Sequence, residues 1–541
     1  MKKYIFYVIS SLLLFSSCSS QLDVTPPNAI TDEQISELLA SGDATTINKI
    51  LGSMANAMPT QFNNSSVMDD LAYDVRYAYI NGLDVMRNLE GNDIVLGTAI
   101  VNSFCGGGDE YDLVDFHTYT SPKNLPYWNN GWKGIVAANK LLAYLSDDVV
   151  GSNALLKEYK GRGLIARAWF YNYLMENYQD AYLQGGKSKL GMMLYDTYDP
   201  SQEYKARSTS EETYAFIKKD LNAAIKLYQE AGVGFTSNVY DLDLGVAYFI
   251  LARVSLWTGD YATCISCCNA IMAQKPTLIG EAAYGSRIAY TSDGVLNVRP
   301  EKNAFLNNAV NPEVLFGWDA SADFKIFGSW MNCFSPSFLN THEYGASADA
   351  CQRIDNRLYE KIADNDYRKD CFMLKAFGDY NFPNRGVHYI PSYTNIKFAA
   401  NYGLGTNNTS DAGMQSFCNF RTSEVLLMLA ESQSMSGDEA GAKASLNKLL
   451  AARTRSGATT LTCDNYPSMS GMTTLQKIQL QWRIEMWGEN GREFYNNKRW
   501  NIPVNRASSA NHVVKGTLSV SDMTLQIPED EMLYNPKIVQ N

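Results

Sequence analysis

The chain has 541 residues, 45% hydrophobic and 19% charged, enough for several cores or one large composite domain. Its formal net charge of −11 argues against nucleic acid as a partner, because phosphate binding needs a basic surface. Tyrosine, with 34 copies, supplies more than half of the aromatic residues; it joins an apolar face to a polar tip and suits wet, stacking surfaces.

Residues 1–17 read as a signal segment. Lys2 and Lys3 give a basic start, and residues 4–15 form an apolar stretch too short for a comfortable membrane span. Ser16 and Ser17 then precede Cys18. Small residues before a cysteine, directly after an apolar stretch, resemble a bacterial lipobox, with Phe15 standing where Leu is usual. The lipobox implies a diacylglycerol thioether on Cys18 and cleavage just before it; an ordinary secretory peptide with an incidental cysteine is the alternative. Several acyl chains hold a protein at a membrane far more firmly than one. No later stretch is long and apolar enough to cross a bilayer, so the expectation is an anchored chain, with residues 18–30 as its tether. Nine cysteines follow Cys18, an odd number that leaves at least one unpaired. Cys264, Cys267 and Cys268 include a C-x-x-C, but with no second pair at zinc spacing they read as helix-packing residues.

Thr31, with Gln34 three residues on, is a capping candidate for a first short helix. Residues 65–89 read as helical and tyrosine-rich. Residues 90–126 read as irregular, since Gly106, Gly107 and Gly108 preclude regular helix there. Helices return at Tyr127. Ala138, Leu141, Leu142 and Leu145 mark one apolar face, and Leu164, Ala168, Tyr171 and Met175 the next. Thr209 and Glu212 form a capping box ahead of Tyr214, Ile217, Leu221, Ala224 and Tyr228 at helical spacing.

Two apolar helices over 247–257 and 262–273 meet at Gly259-Asp260, and two more over 421–453 meet at Gly437-Asp438. Glycine ends a helix in a left-handed turn, and aspartate caps the next one. The recurrence reads as helix–turn–helix repeats of the tetratricopeptide kind, with two hairpins of similar turn chemistry as the alternative. Between the two pairs the pattern breaks over 275–418. That stretch is rich in Gly, Asn, Pro, Ser and aromatics, with a short strand at 313–318. A long irregular segment of this kind is usually functional. A helix over 474–489 and an extended end over 527–541 complete the chain. The fold class is therefore mainly α: tetratricopeptide-like helix pairs form a scaffold, in an N-terminal part over 31–274 and a C-terminal part over 419–541. A large irregular insertion over 275–418, with short strands, is the expected place of a ligand-binding site.

Several segments resemble the SusD/RagB-like family of outer-membrane nutrient-binding lipoproteins. The opening Leu22-Asp23-Val24-Thr25-Pro26 follows the lipid cysteine. Trp128, Ile135, Ala138 and Asn139 match one family helix, and Arg167, Ala168, Tyr171, Leu174, Tyr178 and Asp180 another. Asn311-Pro312-Glu313-Val314-Leu315-Phe316 resembles the strand motif. Arg421, Glu424, Val425, Ala430 and Glu431 match a third helix. Arg483, Glu485, Glu489, Gly491, Arg492, Arg499 and Trp500 match a further segment, in which Asn490 splits the usual Glu-Gly pair. Ile527-Pro528 and Asn535-Pro536 resemble the family's ending. The resemblance implies four helix pairs carrying an irregular subdomain, and a SusC-like TonB-dependent transporter as partner. It also implies an oligosaccharide ligand, or a peptide in the RagB branch, and no metal or organic cofactor. Arg421 with Glu424, and Arg483 with Glu485, read as ion pairs or helix-end contacts.

A sugar binder needs exposed aromatic planes for stacking and planar amides or Arg for hydroxyls. Candidates are Tyr77, Tyr79, His117 and Tyr119 in the first half, and Tyr284, Tyr290, Phe327, Trp330 and Tyr344 in the insertion, with Asn332 and Arg353 as polar partners. The expectation is binding without catalysis. Asp69-Asp70, Asp109-Glu110 and Glu529-Asp530-Glu531 offer carboxylates for a glycoside-processing enzyme, but adjacent acids do not by themselves face across a cleft. The four histidines, His117, His342, His388 and His512, fit no H-E-x-x-H. A purely structural envelope scaffold is the remaining alternative.

Overall fold

Turn chemistry decides where the helices of this chain stop. Gly259 (φ +77°) and Gly437 (φ +85°) each sit in the left-handed region just past a helix. In each case the next residue caps the following helix: the Asp260 carboxylate accepts the N–H of Thr263 at 3.3 Å, and Asp438 that of Gly441 at 2.8 Å. The Thr209/Glu212 capping box is present in both directions, and Thr473/Gln476 forms a second one.

The computed structural model describes residues 32–62, 80–96, 111, 113, 117–285, 289–290, 296–297, 300–318, 352–372, 377–382, 386–390, 392–398 and 416–541. Its longer helices are α1 (Asp32–Ser41), α2 (Ala44–Asn56), α3 (Ile80–Glu90), α4 (Leu125–Leu142), α5 (Ala154–Tyr178), α6 (Ser210–Ala231), α7 (Leu244–Thr258) and α8 (Tyr261–Gln274). After the insertion come α9 (Thr422–Met435), α10 (Glu439–Ala452), α11 (Thr474–Glu485) and α12 (Arg492–Trp500). From α4 to α10 each helix packs on the next, and α11 packs on α9 and α10. The chain leaves this stack after α8 and returns at α9, yet α8 and α9 are direct neighbours. The mainly α scaffold of helix pairs with an insertion is thus the observed fold. Helix α5 is its axis, buried on all sides from Leu164 to Tyr178. Helix α4 comes so close that a Cβ on Gly134 would lie 2.3 Å from the Phe170 ring. Cys264, Cys267 and Cys268 are buried on α8, where burial pushes the Cys267 thiol up to about 12.

The strands are short and all pair antiparallel. They are β1 (Ile94–Val95), β2 (Ala289–Tyr290), β3 (Leu296–Asn297), β4 (Val314–Trp318), β5 (Arg353–Ile354), β6 (Phe377–Phe382), β7 (Gly386–Ile390), β8 (Phe417–Arg421), β9 (Val504–Asn505) and β10 (Thr517–Leu518). The pair that matters most is β4 with β8, in register Val314↔Arg421 and Phe316↔Phe420. Strand β8 leads directly into α9, so this pair closes the base of the insertion. Phe316 and Phe420 pack with Phe62, Trp169 and Phe249, and the Phe249 and Phe420 rings stack at 4.5 Å. Arg253 lies over Phe249 and Phe420 and donates to Glu424 at 2.7 Å.

A buried ion cluster covers the same base. The Glu485 carboxylate accepts from Arg421 at 2.7 Å, Arg453 at 2.8 Å and Arg368 at 3.0 Å. Glu313, just before β4, accepts from Arg421 at 2.9 Å and Arg453 at 2.8 Å. Glu489 takes Arg421 at 2.7 Å and Lys397 at 2.6 Å, and Asp366 takes Arg368 at 2.5 Å. Four cations face four carboxylates, and every side chain is at most 5% exposed. Glu313, Asp366, Arg368 and Lys397 come from the insertion, and the other four from the end of β8 onward. Single charges in that environment would be prohibitive; together they balance.

Three expectations change. Arg421 pairs with Glu313, Glu485 and Glu489 rather than Glu424, and Arg483 pairs with Asp93 rather than Glu485. Both sets are structural pairs, but their partners lie far away in sequence. The end of the chain is not wholly extended: Glu529–Tyr534 forms a short helix, α13, whose first turn carries Glu529, Asp530 and Glu531, favourable charges at a positive helix end. The last predicted long helix stops at Glu485, not 489. Thr31, most of the tyrosine-rich 65–89 stretch and Gly106, Gly107 and Gly108 lie outside the described residues.

Removing one member of the cluster leaves its partners buried and uncompensated. Arg453→Met should therefore cost about 3–5 kcal/mol in urea unfolding; a loss under about 1 kcal/mol would show that the cluster is not closed. The arginines around Glu485 hold its carboxyl well below the usual range. Unfolded glutamate titrates near pH ~4.3. The stability from Glu485 is thus fully present above that value and lost as pH falls through the lower folded one. Glu485→Gln should weaken the protein at pH 7 and flatten the acid-side fall in stability. An unchanged slope below pH ~4.3 would contradict this assignment.

Candidate functional site

Of the rings singled out in the sequence, Tyr119 is placed on the surface, 44% exposed, ahead of α4. Its backbone is fixed at both ends: its N–H donates to the Gln526 side chain at 2.9 Å, and its carbonyl accepts the N–H of Glu529 at 2.9 Å. Tyr119 therefore stands beside the start of α13. The C-terminal segment in turn lies along the loop after α5, where the Asn535 amide donates to the Lys205 carbonyl at 3.1 Å and Lys537 pairs with Glu203 at 3.1 Å. Tyr204, Leu533 and Tyr534 on these segments are exposed, Tyr534 to 69%. Backbone ties thus gather Tyr119, Tyr204 and Tyr534 on segments that adjoin one another. The sequence reading missed Tyr204 and Tyr534. They sit in segments without helical or strand patterning, and only the contacts of the terminal segment bring them next to Tyr119.

Two other candidates lie inside. Tyr284 is buried: its ring meets Phe305 at 4.9 Å and Tyr367 at 5.3 Å, and Arg453 lies over it at 4.7 Å. It packs against the ion cluster and offers no stacking face to solvent, which corrects its selection as a ligand ring. His117 is also buried, with Nε2 2.8 Å from Glu90 Oε2, while Glu90 accepts from Arg87 at 3.0 Å. It is a link in a buried chain rather than a hydroxyl-binding group at a surface. Arg353 lies in β5, half-buried, and donates to the Leu96 carbonyl at 3.3 Å. Tyr290 falls in β2. Tyr77, Tyr79, Phe327, Trp330, Asn332, Tyr344 and Cys18 lie outside the described residues.

The described titratable groups are mostly committed to structure. His512 is held between the Tyr111 hydroxyl and the Asn92 carbonyl, both at 2.8 Å, and burial with Arg506 nearby takes it down to about 3. Glu529 and Asp530 are exposed on the first turn of α13, while Asp69-Asp70 and Asp109-Glu110 lie outside the described residues. No helix among the described residues is long and apolar enough to cross a membrane.

The contrast between the two tyrosines is measurable. Tyr119→Ala should change unfolding free energy by less than about 0.5 kcal/mol, as exposed substitutions do. Tyr284→Ala should cost about 3–5 kcal/mol, as for a large buried ring. Equal effects from urea denaturation would mean that one of the rings is misplaced.

Two family models match the sequence. Residues 355–541 match the SusD family, and residues 51–256 match a family described as starch-binding, associating with outer membrane. Among curated proteins, no sequence relative matches. Solved structures share the fold over nearly the whole chain. A SusD superfamily protein from Bacteroides thetaiotaomicron is 17% identical with a TM-score of 0.66, covering 95% of this chain and 100% of its own. A SusD-like carbohydrate binding protein from Bacteroides vulgatus is 18% identical with a TM-score of 0.64, covering 92% and 97%. A laminarin binding SusD-like protein is 17% identical with a TM-score of 0.61, covering 92% and 99%. At these identities the likeness shows the fold, and the two family-model matches, one before the insertion and one from within it to the end of the chain, add the sequence signature. The chain belongs to the SusD/RagB-like family.

Proposed function

We propose that this chain is a lipid-anchored receptor of the outer membrane, facing the cell exterior, that captures an oligosaccharide and delivers it to a SusC-like TonB-dependent transporter. It performs no chemistry on the ligand. The observation that carries the reading is the joint match: one family model described as starch-binding, and a whole-chain fold likeness to a laminarin binding relative. The lipobox at Cys18 supplies the anchor. A stack of paired helices is a rigid support for a binding surface. Sugar rings stack on exposed aromatics, and Tyr119, Tyr204 and Tyr534 are such rings on the described surface. Trp330 remains the leading ring of the insertion on its sequence setting, between Gly328-Ser329 and Met331-Asn332.

The chain from residue 19 onward, displayed against a glycan and peptide array, should retain oligosaccharides and leave them intact. Retention of peptides alone would transfer the protein to the RagB kind of ligand, and glycan turnover would contradict the non-catalytic reading. Trp330→Ala should weaken glycan retention in affinity electrophoresis with the melting temperature nearly unchanged. A large fall in melting temperature would place that ring in a core.

A further inference from the structure

Helices α11 and α12 border a cleft of about 210 Å³ to which Asn92 and Lys361 also contribute. Sites for drug-sized ligands are larger, roughly 300–1,000 Å³, so this one has room for a single small unit. Three of its polar groups are uncommitted. The Lys361 ammonium is half-buried and has no hydrogen-bond acceptor or carboxylate in contact among the described residues. The Gln479 side-chain amide, also half-buried, makes no hydrogen bond there. Asn92 spends its Oδ1 on the N–H of Asn505 at 2.8 Å, which leaves its NH2 group free.

Of the two cations that line the cleft, Arg483 has a carboxylate in contact and Lys361 has none. Arg483 is held by Asp93, with Nε 2.9 Å from Oδ2. Asp355 is held by Arg357 at 2.9 Å. The Glu493 carboxylate beside the cleft accepts from the N–H groups of Asn92 and Asp93 and from the Asn497 amide, which leaves Lys361 as the lining cation without a carboxylate in contact. Burial and the nearby Arg483 push its ammonium down from its ordinary value, the signature of a desolvated cation without a contact anion. The apolar share of the wall includes Met472 and Trp500. The indole of Trp500 is fixed in advance, since its N–H donates to Glu431 at 2.8 Å and Arg499 lies 4.8 Å from its ring centre. A fixed wall lowers the ordering cost of binding.

An aromatic wall, two free amides and one cation without an anion in contact match a ring that bears hydroxyls and a single carboxylate. A neutral sugar would leave Lys361 unpaired, whereas a carboxylate would give it a charge-assisted hydrogen bond. We propose that this cleft binds one uronic acid unit, with its carboxylate on Lys361 and its hydroxyls on Gln479 and Asn92. This inference needs neither Trp330 nor the exposed Tyr119, Tyr204 and Tyr534.

Isothermal titration of the chain from residue 19 onward with glucuronic and galacturonic acid, against glucose and galactose, tests it. The uronic acids should bind about tenfold or more tightly than their neutral counterparts, the worth of one charge-assisted contact. Lys361→Gln should abolish that preference and Gln479→Ala should weaken it, with both variants melting like the parent. Equal affinity for neutral and acidic sugars would overturn the proposal. So would a preference that survives Lys361→Gln, or acetate binding as tightly as the uronic acids. If both variants keep their affinity for neutral oligosaccharides on the array, the receptor reading stands whatever the fate of this cleft.

Discussion

Glu485 is the point on which this architecture turns. It sits at the last residue of α11, fully buried, and receives three arginines. Each arginine reaches it from a different part of the chain: Arg368 from the insertion, Arg421 from the end of β8, and Arg453 from just past α10. Glu313 then ties Arg421 and Arg453 to the start of β4, and its backbone carbonyl accepts the N–H of Thr422 at 3.0 Å. A buried, balanced cluster of this type adds little net stability over an apolar core of the same volume. What it adds is selectivity of arrangement, because any other docking of these segments would strand charges out of water. The insertion is thereby fastened to the helices that follow it at one defined base.

That fastening bears on the receptor role. A surface that must recognise a hydrated, flexible ligand gains from being held still, since ordering on binding subtracts from affinity. In this protein the helix stack runs unbroken past the insertion, because α8 and α9 are neighbours despite the residues between them. The aromatic cluster of Phe62, Trp169, Phe249, Phe316 and Phe420 sits behind the same strands. The base of the insertion is thus clamped by rings on one side and by charges on the other. The exposed tyrosines are carried differently, on the turn before α4, on the loop after α5 and on the C-terminal segment tied back along both.

Local chemistry was legible in the sequence, and long-range chemistry was not. The Gly-Asp turns, the Thr209 capping box, strand β4 and the buried cysteines of α8 follow from residues within a few positions of one another. Helix periodicity exposed the scaffold for the same reason. The ion partners were unreadable because Arg421 and Glu313, or Arg483 and Asp93, are joined only by the tertiary fold. Pairing charges by proximity in sequence therefore chose wrong partners for right residues. Burial failed similarly at Tyr284, which lies in an irregular stretch where no period marks an inner face. Tyr204 and Tyr534 were invisible as a set because nothing in the sequence brings segments 330 residues apart together, as the Lys205 and Asn535 contact does.

Native-state hydrogen exchange addresses the clamped base most directly. The amides of Thr422 and Ser423, which donate to Glu313, and those of β4 and β8 should exchange only through global unfolding, with the same opening free energy as the centre of α5. Exchange of these amides through a local opening several kcal/mol cheaper than that of α5 would mean that the base is loose, and the idea of an insertion held rigid by buried charge would fail.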